Sequence, residues 1–179
     1  MTPAERVDEA CARWGEGDVV RNCAALLGLR AGVAPSGAAL ELAMVLGALT
    51  DRRWLASGKP PGNSYWARVW AARALRYVWA ESAAPAVVAA LGDEHWRVRE
   101  MAAKVVGDRE LGEAAERLVG LLDDGTPRVR AAAVRALGQI GEGEHGAAIK
   151  ALASDPDPTV AAAARSAVAA LSQRFDRRL

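Results

Sequence analysis

WRVREMAAKVVG (96–107) and PRVRAAAVRALG (127–138) are two copies of one pattern, and they decide how this chain folds. A weaker third copy, PTVAAAARSAVA, follows at 158–169, and both spacings are 31 residues. Self-similarity at a fixed period of this size is typical of repeat proteins, in which each unit buries its apolar face against its neighbours. The sequence therefore predicts an array of similar units.

Each unit is predicted to consist of two helices. The apolar residues of the second copy recur at helical spacing and form one stripe, Val129, Ala132, Ala133, Ala136, Leu137 and Ile140. Thr126 is placed to cap this helix, and Pro127 suits its first position. A second, shorter helix is predicted over 113–124 and again over 144–155. No segment shows the alternation of a strand, so the predicted fold is all-α.

The repeated pattern D-x-x-x-x-V-R-x-x-A-A resembles the short HEAT-like repeats, helical modules known from phycobilisome lyases and many bacterial scaffold proteins. It is carried by Asp93, Val98, Arg99, Ala102 and Ala103 and, one unit later, by Asp124, Val129, Arg130 and Ala133. The resemblance covers residues 65–170 and weakens in the last copy, where Ala161 stands in the place of the arginine. It implies a right-handed α-α superhelix of about four helix pairs with a cap at each end.

The repeat register divides the chain, taken as one domain, into segments. They are an N-terminal capping helix (1–16), a degenerate first repeat (17–51), an inserted loop (52–64), three further repeats (65–92, 93–123 and 124–154) and a C-terminal capping helix with a basic tail (155–179). The loop is predicted because Asp51 to Trp54 matches Asp93 to Trp96 at an offset of 42 rather than 31. The added residues are WLASGKPPGNS (54–64).

Composition restricts the classes of function. The net charge of +1 at pH 7 gives no overall attraction to nucleic acid or to an anionic membrane. The charged N-terminus does not resemble a signal peptide, and no apolar run is long enough to span a membrane. Cys11 and Cys23 are expected to be buried free thiols. We expect a soluble cytoplasmic protein with no membrane partner.

Few residues could carry out catalysis. The two histidines, His95 and His145, have no histidine or cysteine at metal-ligand spacing and are expected to lie on the surface. Gly58-Lys59 is followed by Pro60 and lacks the other features of a phosphate-binding loop, and no nucleophile motif is present. We therefore expect a non-enzymatic protein with no catalytic residue, no metal and no cofactor.

An aromatic and basic surface is the predicted interaction site. In the repeat register Trp70 lies on the apolar stripe, whereas Trp66 and Tyr77 occupy positions that are polar in the other units. At about 100° per residue, Trp66, Arg73 and Tyr77 share one flank of a helix. Tryptophan, tyrosine and arginine dominate binding hot spots. The predicted site consists of Trp54, Trp66, Arg73, Tyr77, Arg97, Lys104 and Arg135. The alternative is that the inserted loop packs over this flank.

These patterns predict a protein-interaction scaffold or adaptor whose partner is another protein or an acidic peptide segment. One alternative is nucleic-acid binding by a basic ridge, Arg73, Lys104 and Arg135, which recurs every 31 residues without an obvious acidic partner in register. A DNA glycosylase or a lyase is a weaker alternative that rests on the family resemblance. The oligomeric state stays open.

The resemblance also assigns a structural role to some of the charged residues. In HEAT-like families the repeat arginine pairs with the repeat aspartate to form an internal ladder. This implies that Arg99 and Arg130 serve, with Asp93, Asp124 and Asp155, in holding the repeats together rather than in binding a ligand.

Overall fold

The computed structural model describes residues 1–30, 32–49, 51, 53, 55 and 65–175 of this chain. Within these ranges all regular structure is helical and no strand occurs, so the prediction of an all-α fold is confirmed. None of the described helices is long and apolar enough to cross a membrane. Most of the predicted inserted loop, Trp54 and 56–64 included, lies outside the described residues, as does the end of the tail.

Long and short helices alternate along the repeat region. In chain order the described α-helices are α1 (Pro3–Trp14), α2 (Glu16–Leu27), α3 (Gly37–Gly47), α4 (Tyr65–Ala74), α5 (Ala84–Ala90), α6 (Trp96–Asp108), α7 (Ala115–Gly120), α8 (Pro127–Ile140), α9 (Gly146–Ala151) and α10 (Pro158–Arg174). A single 3-10 turn precedes each of the short helices α5, α7 and α9. The chain forms two compact units, Met1–Val98 and Arg99–Leu179.

In the first unit, α2 is the central helix and contacts α1, α3, α4 and α5. Its apolar residues Val19, Val20, Cys23, Leu26 and Leu27 are buried. Helix α4 approaches closely because its buried residues are largely alanines. The Trp70 indole lies against Gly47 at the end of α3, where a Cβ atom would overlap the ring. Trp70 is therefore half-buried at the edge of the core.

In the second unit, α8 packs against α7 and α10. The apolar stripe predicted for this helix is buried, apart from the half-buried Ile140 at its end. Small residues bring the helices together: a Cβ atom on Gly138 would lie 3.0 Å from the Cβ of Ala167 in α10. A Cβ atom on Gly107 of α6 would likewise lie 3.3 Å from the Cα of Ala136. The alanines and glycines of the repeat thus set the spacing between helices.

Candidate functional site

An arginine and an aspartate tie each repeat to the next. The pairs are Arg68–Asp93 in the first unit and Arg99–Asp124 and Arg130–Asp155 in the second. Arg68 makes two bonds, with Nε 2.7 Å from Oδ2 and Nη2 3.1 Å from Oδ1 of Asp93. Arg130 does the same at 2.8 and 2.9 Å. Such bidentate pairs are strong and directional.

Each of these aspartates also shapes the turn before the next long helix. Oδ1 of Asp93 accepts the N–H of His95 at 2.8 Å, and Asp124 and Asp155 accept the N–H two residues on at the same distance. The bond from Arg130 holds the pKa of the Asp155 carboxyl below its ordinary value. The geometry therefore uses these charges for internal bonds between repeats.

Lys104, one of the residues of the predicted site, forms an ion pair with an acidic residue. Its Nζ lies 2.8 Å from Oε1 of Glu100, and Arg128 reaches the same oxygen at 3.2 Å. The expectation that Lys104 lacks an acidic partner is wrong. The partner was missed because Glu100 stands at a repeat position that holds Val69 and Ala131 in the adjacent copies. An acid at an apolar register position is the signal that could have revealed this buried carboxylate.

Arg135 remains exposed in the second unit. It lines a shallow groove of about 260 Å³ between α8 and α10 with Gly138, Gln139, Ser166 and several alanines. Among the described residues it forms no ion pair. Two residues of the predicted basic ridge, Lys104 and Arg135, lie in this unit. Lys104 is paired with Glu100, so Arg135 is the one whose charge has no acidic partner among the described residues.

The aromatic part of the predicted site is assembled in the first unit. The Trp66 ring lies 6.1 Å from that of Trp70 at an interplanar angle of 22°, and 5.1 Å from the ring of Tyr65. The guanidinium of Arg97 lies 5.5 Å from the Trp66 ring and 4.2 Å from the Trp96 ring. Cation–π contacts of this kind keep the N–H groups of an arginine available at its edge. The structure therefore brings Trp66 and Arg97 together.

Arg73 and Tyr77 lie at the far end of α4. Helix α4 ends at Ala74, so Tyr77 belongs to the following turn, where it is 49% exposed. Arg73 is half-buried and lines a small cavity with Pro3, Val7, Leu46, Trp70 and Ala74. Burial and the nearby charge of Arg6 lower the pKa of Arg73, while Tyr77 opposes this shift. Arg6 was not predicted as part of the site, because the packing of α1 on α4 is outside the repeat register.

Both histidines accept a backbone hydrogen bond at Nδ1. His95 accepts the N–H of Arg97 at 3.3 Å and stacks on Tyr65 with ring centroids 3.4 Å apart. His145 accepts the N–H of Glu142 at 2.8 Å. His145 is only 6% exposed, so the expectation of a surface histidine is wrong for this residue. The 3-10 turn Gly143–His145 directs the ring inward, and a sequence pattern does not show this.

One group in the described part of the chain could offer three ligand atoms to a metal. The ligand atoms of Glu116, Glu144 and His145 lie within 4.8 Å of one another. Nε2 of His145 is buried, has no hydrogen-bond partner and lies 3.6 Å from Oε1 of Glu116. Because Nδ1 accepts the N–H of Glu142, the neutral ring carries its proton on Nε2 and has no lone pair there. A metal-bound histidine instead donates from its second nitrogen, so this group does not fit a metal centre.

The comparison with solved structures identifies an enzyme of similar fold. The chain is similar to human deoxyhypusine hydroxylase in complex with glycerol, at 24% identity and a TM-score of 0.53. The similarity covers 79% of this chain and 46% of that chain, so the chain spans about half the length of that enzyme. At this identity the likeness shows the fold alone. No curated protein matches the sequence.

This likeness contradicts the prediction of a non-enzymatic scaffold or adaptor. The similar solved protein is by name a hydroxylase, so a protein of this fold can be an enzyme. The prediction was wrong because it inferred the absence of activity from the absence of a familiar motif. The same fold carries both binding and catalysis, and fold class therefore cannot exclude an enzyme.

The family comparison agrees with the repeat register. The family model for HEAT repeats matches residues 62–132 and 107–169, which together make up more than half of the chain. These ranges contain all three Arg–Asp pairs and every copy of the opening pattern. The resemblance predicted from the sequence is confirmed. The chain belongs to the HEAT-repeat family.

Proposed function

We propose that this chain contributes the substrate-binding surface of an enzyme and that it binds an acidic segment of a protein. The observation that carries the proposal is the contact between Trp66 and Arg97 at the start of α4. We call these two residues, together with Arg73 and Tyr77 at the other end of the helix, the aromatic–arginine face. Neither arginine forms an ion pair with another described residue. The enzymatic part is supported by the hydroxylase of similar fold.

The chemistry of the face suits an acidic polypeptide. Arg97 lies over the Trp66 ring, which positions its guanidinium, and the N–H groups of an arginine can donate two parallel hydrogen bonds to a carboxylate. Tyr77 offers an exposed ring for apolar contact. The whole chain is almost neutral, so a local surface must supply the attraction.

The described residues support binding more directly than oxygen chemistry. Enzymes that activate oxygen often hold iron on two histidines and one carboxylate. This chain has two histidines, and Nδ1 of each accepts a backbone N–H, which places the proton of the neutral ring on Nε2. The proposal therefore assigns substrate binding to this chain and derives no step through a metal.

The proposal is tested by fluorescence anisotropy with a labelled polyglutamate peptide at low salt. The double variant Trp66→Ala/Arg97→Gln should weaken binding about tenfold or more, since it removes a stacked charge and its support. The matched control is Arg13→Gln/Trp14→Ala, because Arg13 lies 4.6 Å from the Trp14 ring in a similar stack on α1. A folded Trp66/Arg97 variant that binds the peptide normally would refute the proposal.

Nucleic acid is the competing ligand and is tested in the same assay with duplex DNA. Three phosphate contacts would give a logarithmic salt slope near −2.7. The ion pair between Lys104 and Glu100 argues against nucleic acid, because it neutralises one of the cations that would contact phosphate. DNA binding with that slope, together with no binding of polyglutamate, would replace the acidic peptide as the proposed ligand.

A cytoplasmic location is proposed as well. Cys11 and Cys23 are both free thiols, and Cys23 is fully buried. Proteins of oxidising compartments tend to use their cysteines in disulfides. Localisation of a tagged chain by fluorescence microscopy tests this proposal.

A further inference from the structure

A small pocket in the first unit lies between α1, α2 and α3. The residues that line it are Trp14 at the end of α1, Asp18, Val19 and Asn22 of α2, and Ala38 and Leu42 of α3. Its volume is about 50 Å³. A cavity needs roughly 10–15 Å³ to hold one water, so this pocket has room for a group of about four heavy atoms.

The polar wall of the pocket offers hydrogen-bond acceptors. Asp18 carries a negative charge, and its Oδ1 accepts from Nη2 of Arg21. Asn22 donates from Nδ2 to the backbone carbonyl of Asp18 at 2.8 Å, which leaves its Oδ1 as an acceptor. Oδ2 of Asp18 and Oδ1 of Asn22 accept no hydrogen bond from any described residue. Two acceptors one helical turn apart, one of them charged, suit a cation that carries several N–H donors.

Trp14 supplies an aromatic wall to the same pocket. The guanidinium of Arg13 already lies 4.6 Å from the centre of this ring, so the indole accepts a cation in this structure. Arg13 lines a different and larger cavity, so it is not the group that fills the space beside Asp18. A guanidinium is planar, stacks on indole and presents a fork of donors, whereas the ammonium of lysine is compact and strongly hydrated. The wall therefore favours a guanidinium over an ammonium.

The local charge also favours a cation. Residues 8–22 contain four acidic residues and two arginines. The carbonyl end of α1 and the N–H end of α3 border the pocket at Trp14 and Ala38, and their partial charges have opposite signs. The full charge of Asp18 therefore decides the sign of the potential. The side chains of Asp18 and Arg21 are 54% and 72% exposed, and an exposed pair of this kind opens at little cost.

We infer that this pocket binds the guanidinium of an arginine side chain that belongs to a segment of another protein. The volume admits only the head group, so the rest of the ligand stays outside, as it does for a side chain carried by a polypeptide. Trp14 stacks on the bound guanidinium, Asp18 accepts from its fork, and Asn22 accepts a further N–H. The pocket shares no residue with the aromatic–arginine face, so the inference goes beyond the proposed function and does not depend on it.

The test is an NMR titration with the acetylated tripeptide amide glycyl-arginyl-glycine at millimolar concentration. The indole N–H signal of Trp14, assigned with Trp14→Phe, should shift saturably, and the signals of the other tryptophans should stay in place. The citrulline analogue has nearly the same shape without the charge and should bind about tenfold more weakly or worse. The lysine analogue should also bind more weakly.

Three outcomes of this titration would overturn the inference. An unmoved Trp14 signal would show that the pocket binds no arginine. Equal binding of the citrulline analogue, or tighter binding of the lysine analogue, would exclude the guanidinium as the recognised group. Binding of free arginine without binding of the tripeptide would exclude a protein segment as its source.

Asp18→Asn separates the charge of the pocket from its shape. This variant keeps the size of the side chain, removes the negative charge and should weaken binding of the arginine tripeptide about tenfold. Asp8→Asn is the matched control, because Asp8 is an exposed acid of α1 that does not line the pocket, and it should bind normally. Equal losses in the two variants would mean general attraction to acidic residues and would overturn the pocket, as would normal binding by a folded Asp18→Asn variant.

This inference and the proposed function fail separately. Asp18→Asn should leave the binding of polyglutamate unchanged, and Trp66→Ala/Arg97→Gln should leave the binding of the arginine tripeptide unchanged. If the wild type binds the tripeptide and not polyglutamate, only the proposed function is wrong. If it binds polyglutamate and not the tripeptide, only the pocket is wrong.

Discussion

Oε1 of Glu100 lies 2.8 Å from Nζ of Lys104, one turn further along α6. Glu100 is only 6% exposed, and Arg128 binds the same oxygen from the solvent side. A buried carboxylate requires such partners, whereas a mostly exposed arginine does not require the carboxylate. The three residues therefore differ in what their removal does to the fold.

Replacing Glu100 should lower the free energy of unfolding less than replacing both of its cationic partners does. Glu100→Val introduces the residue type found at the same repeat position in the preceding copy, Val69. The side chains of Lys104 and Arg128 can then turn into solvent. We expect a change of less than about 1 kcal/mol in the free energy of unfolding. The double variant Lys104→Leu/Arg128→Leu leaves the carboxylate buried and unpaired, and should lose roughly 2–4 kcal/mol. Urea denaturation measures both, and a greater loss for Glu100→Val would contradict this account.

The bond between Arg130 and Asp155 should make the free energy of unfolding depend on pH in the acid range. The folded pKa of Asp155 lies below its ordinary value of 3.8 because Arg130 donates to the carboxylate. The stabilisation is therefore fully present above pH 3.8 and is lost as the pH falls through the lowered folded pKa.

The measurement is the free energy of unfolding as a function of pH. Asp155→Asn should be less stable than wild type at neutral pH and should show a shallower decline in acid. Asp123→Asn is the control, since Asp123 is exposed in the same unit. Parallel acid profiles of wild type and Asp155→Asn would show that this bond contributes nothing.

Cys23 should be inert in the folded protein and should weaken the fold in alkali. Burial, with a smaller effect of Cys11, raises the pKa of Cys23 from 9.0 to about 12. The unfolded chain releases the proton first, so stability falls from pH 9 upward by about 1.4 kcal/mol per pH unit until the folded thiol also ionises.

Alkylation and alkaline unfolding both report on Cys23. Iodoacetamide should modify the half-buried Cys11 in native protein and Cys23 only on unfolding. The difference in stability between wild type and Cys23→Ala should shrink as the pH rises above 9.0. Rapid native alkylation of Cys23, or a constant difference, would contradict the assigned burial.

Gly47 should not tolerate a side chain. A Cβ atom at this position would overlap the six-membered part of the Trp70 indole. Gly47→Ala should therefore cost roughly 1–3 kcal/mol, the usual range for overpacking. Gly17→Ala is the matched control, because nothing lies within 4 Å of its new Cβ. That variant should be neutral or more stable by up to about 1 kcal/mol. Equal Tm values for the two variants would contradict the packing of Trp70 on Gly47.

Several features could be predicted because they recur at the repeat spacing. The stripe from Val129 to Leu137 is buried as its helical period indicates, since an apolar face of this kind has to be covered. Arg99 and Asp124 stand in successive copies of one pattern, so the register already suggests that they meet. The sequence also showed that a tryptophan is unusual at position 66, because the next copy has Arg97 at the same repeat position.

Other features could not be predicted because their partners come from outside the register. Arg6 lowers the pKa of Arg73 only because α1 packs on α4. The proton position on His145 depends on a backbone N–H in a 3-10 turn. Tyr77 was expected on the helix and lies in the turn that follows it.

The sequence by itself determined the all-helical fold and the HEAT repeat, because helical period and repeat spacing are local properties of the chain. Only the tertiary structure decided which charged groups find a partner: Lys104 is paired with Glu100, whereas Nε of Arg6 is buried and has no hydrogen-bond partner among the described residues. The physical reason is that burial and charge pairing depend on distances between helices, and a one-dimensional pattern does not contain these distances.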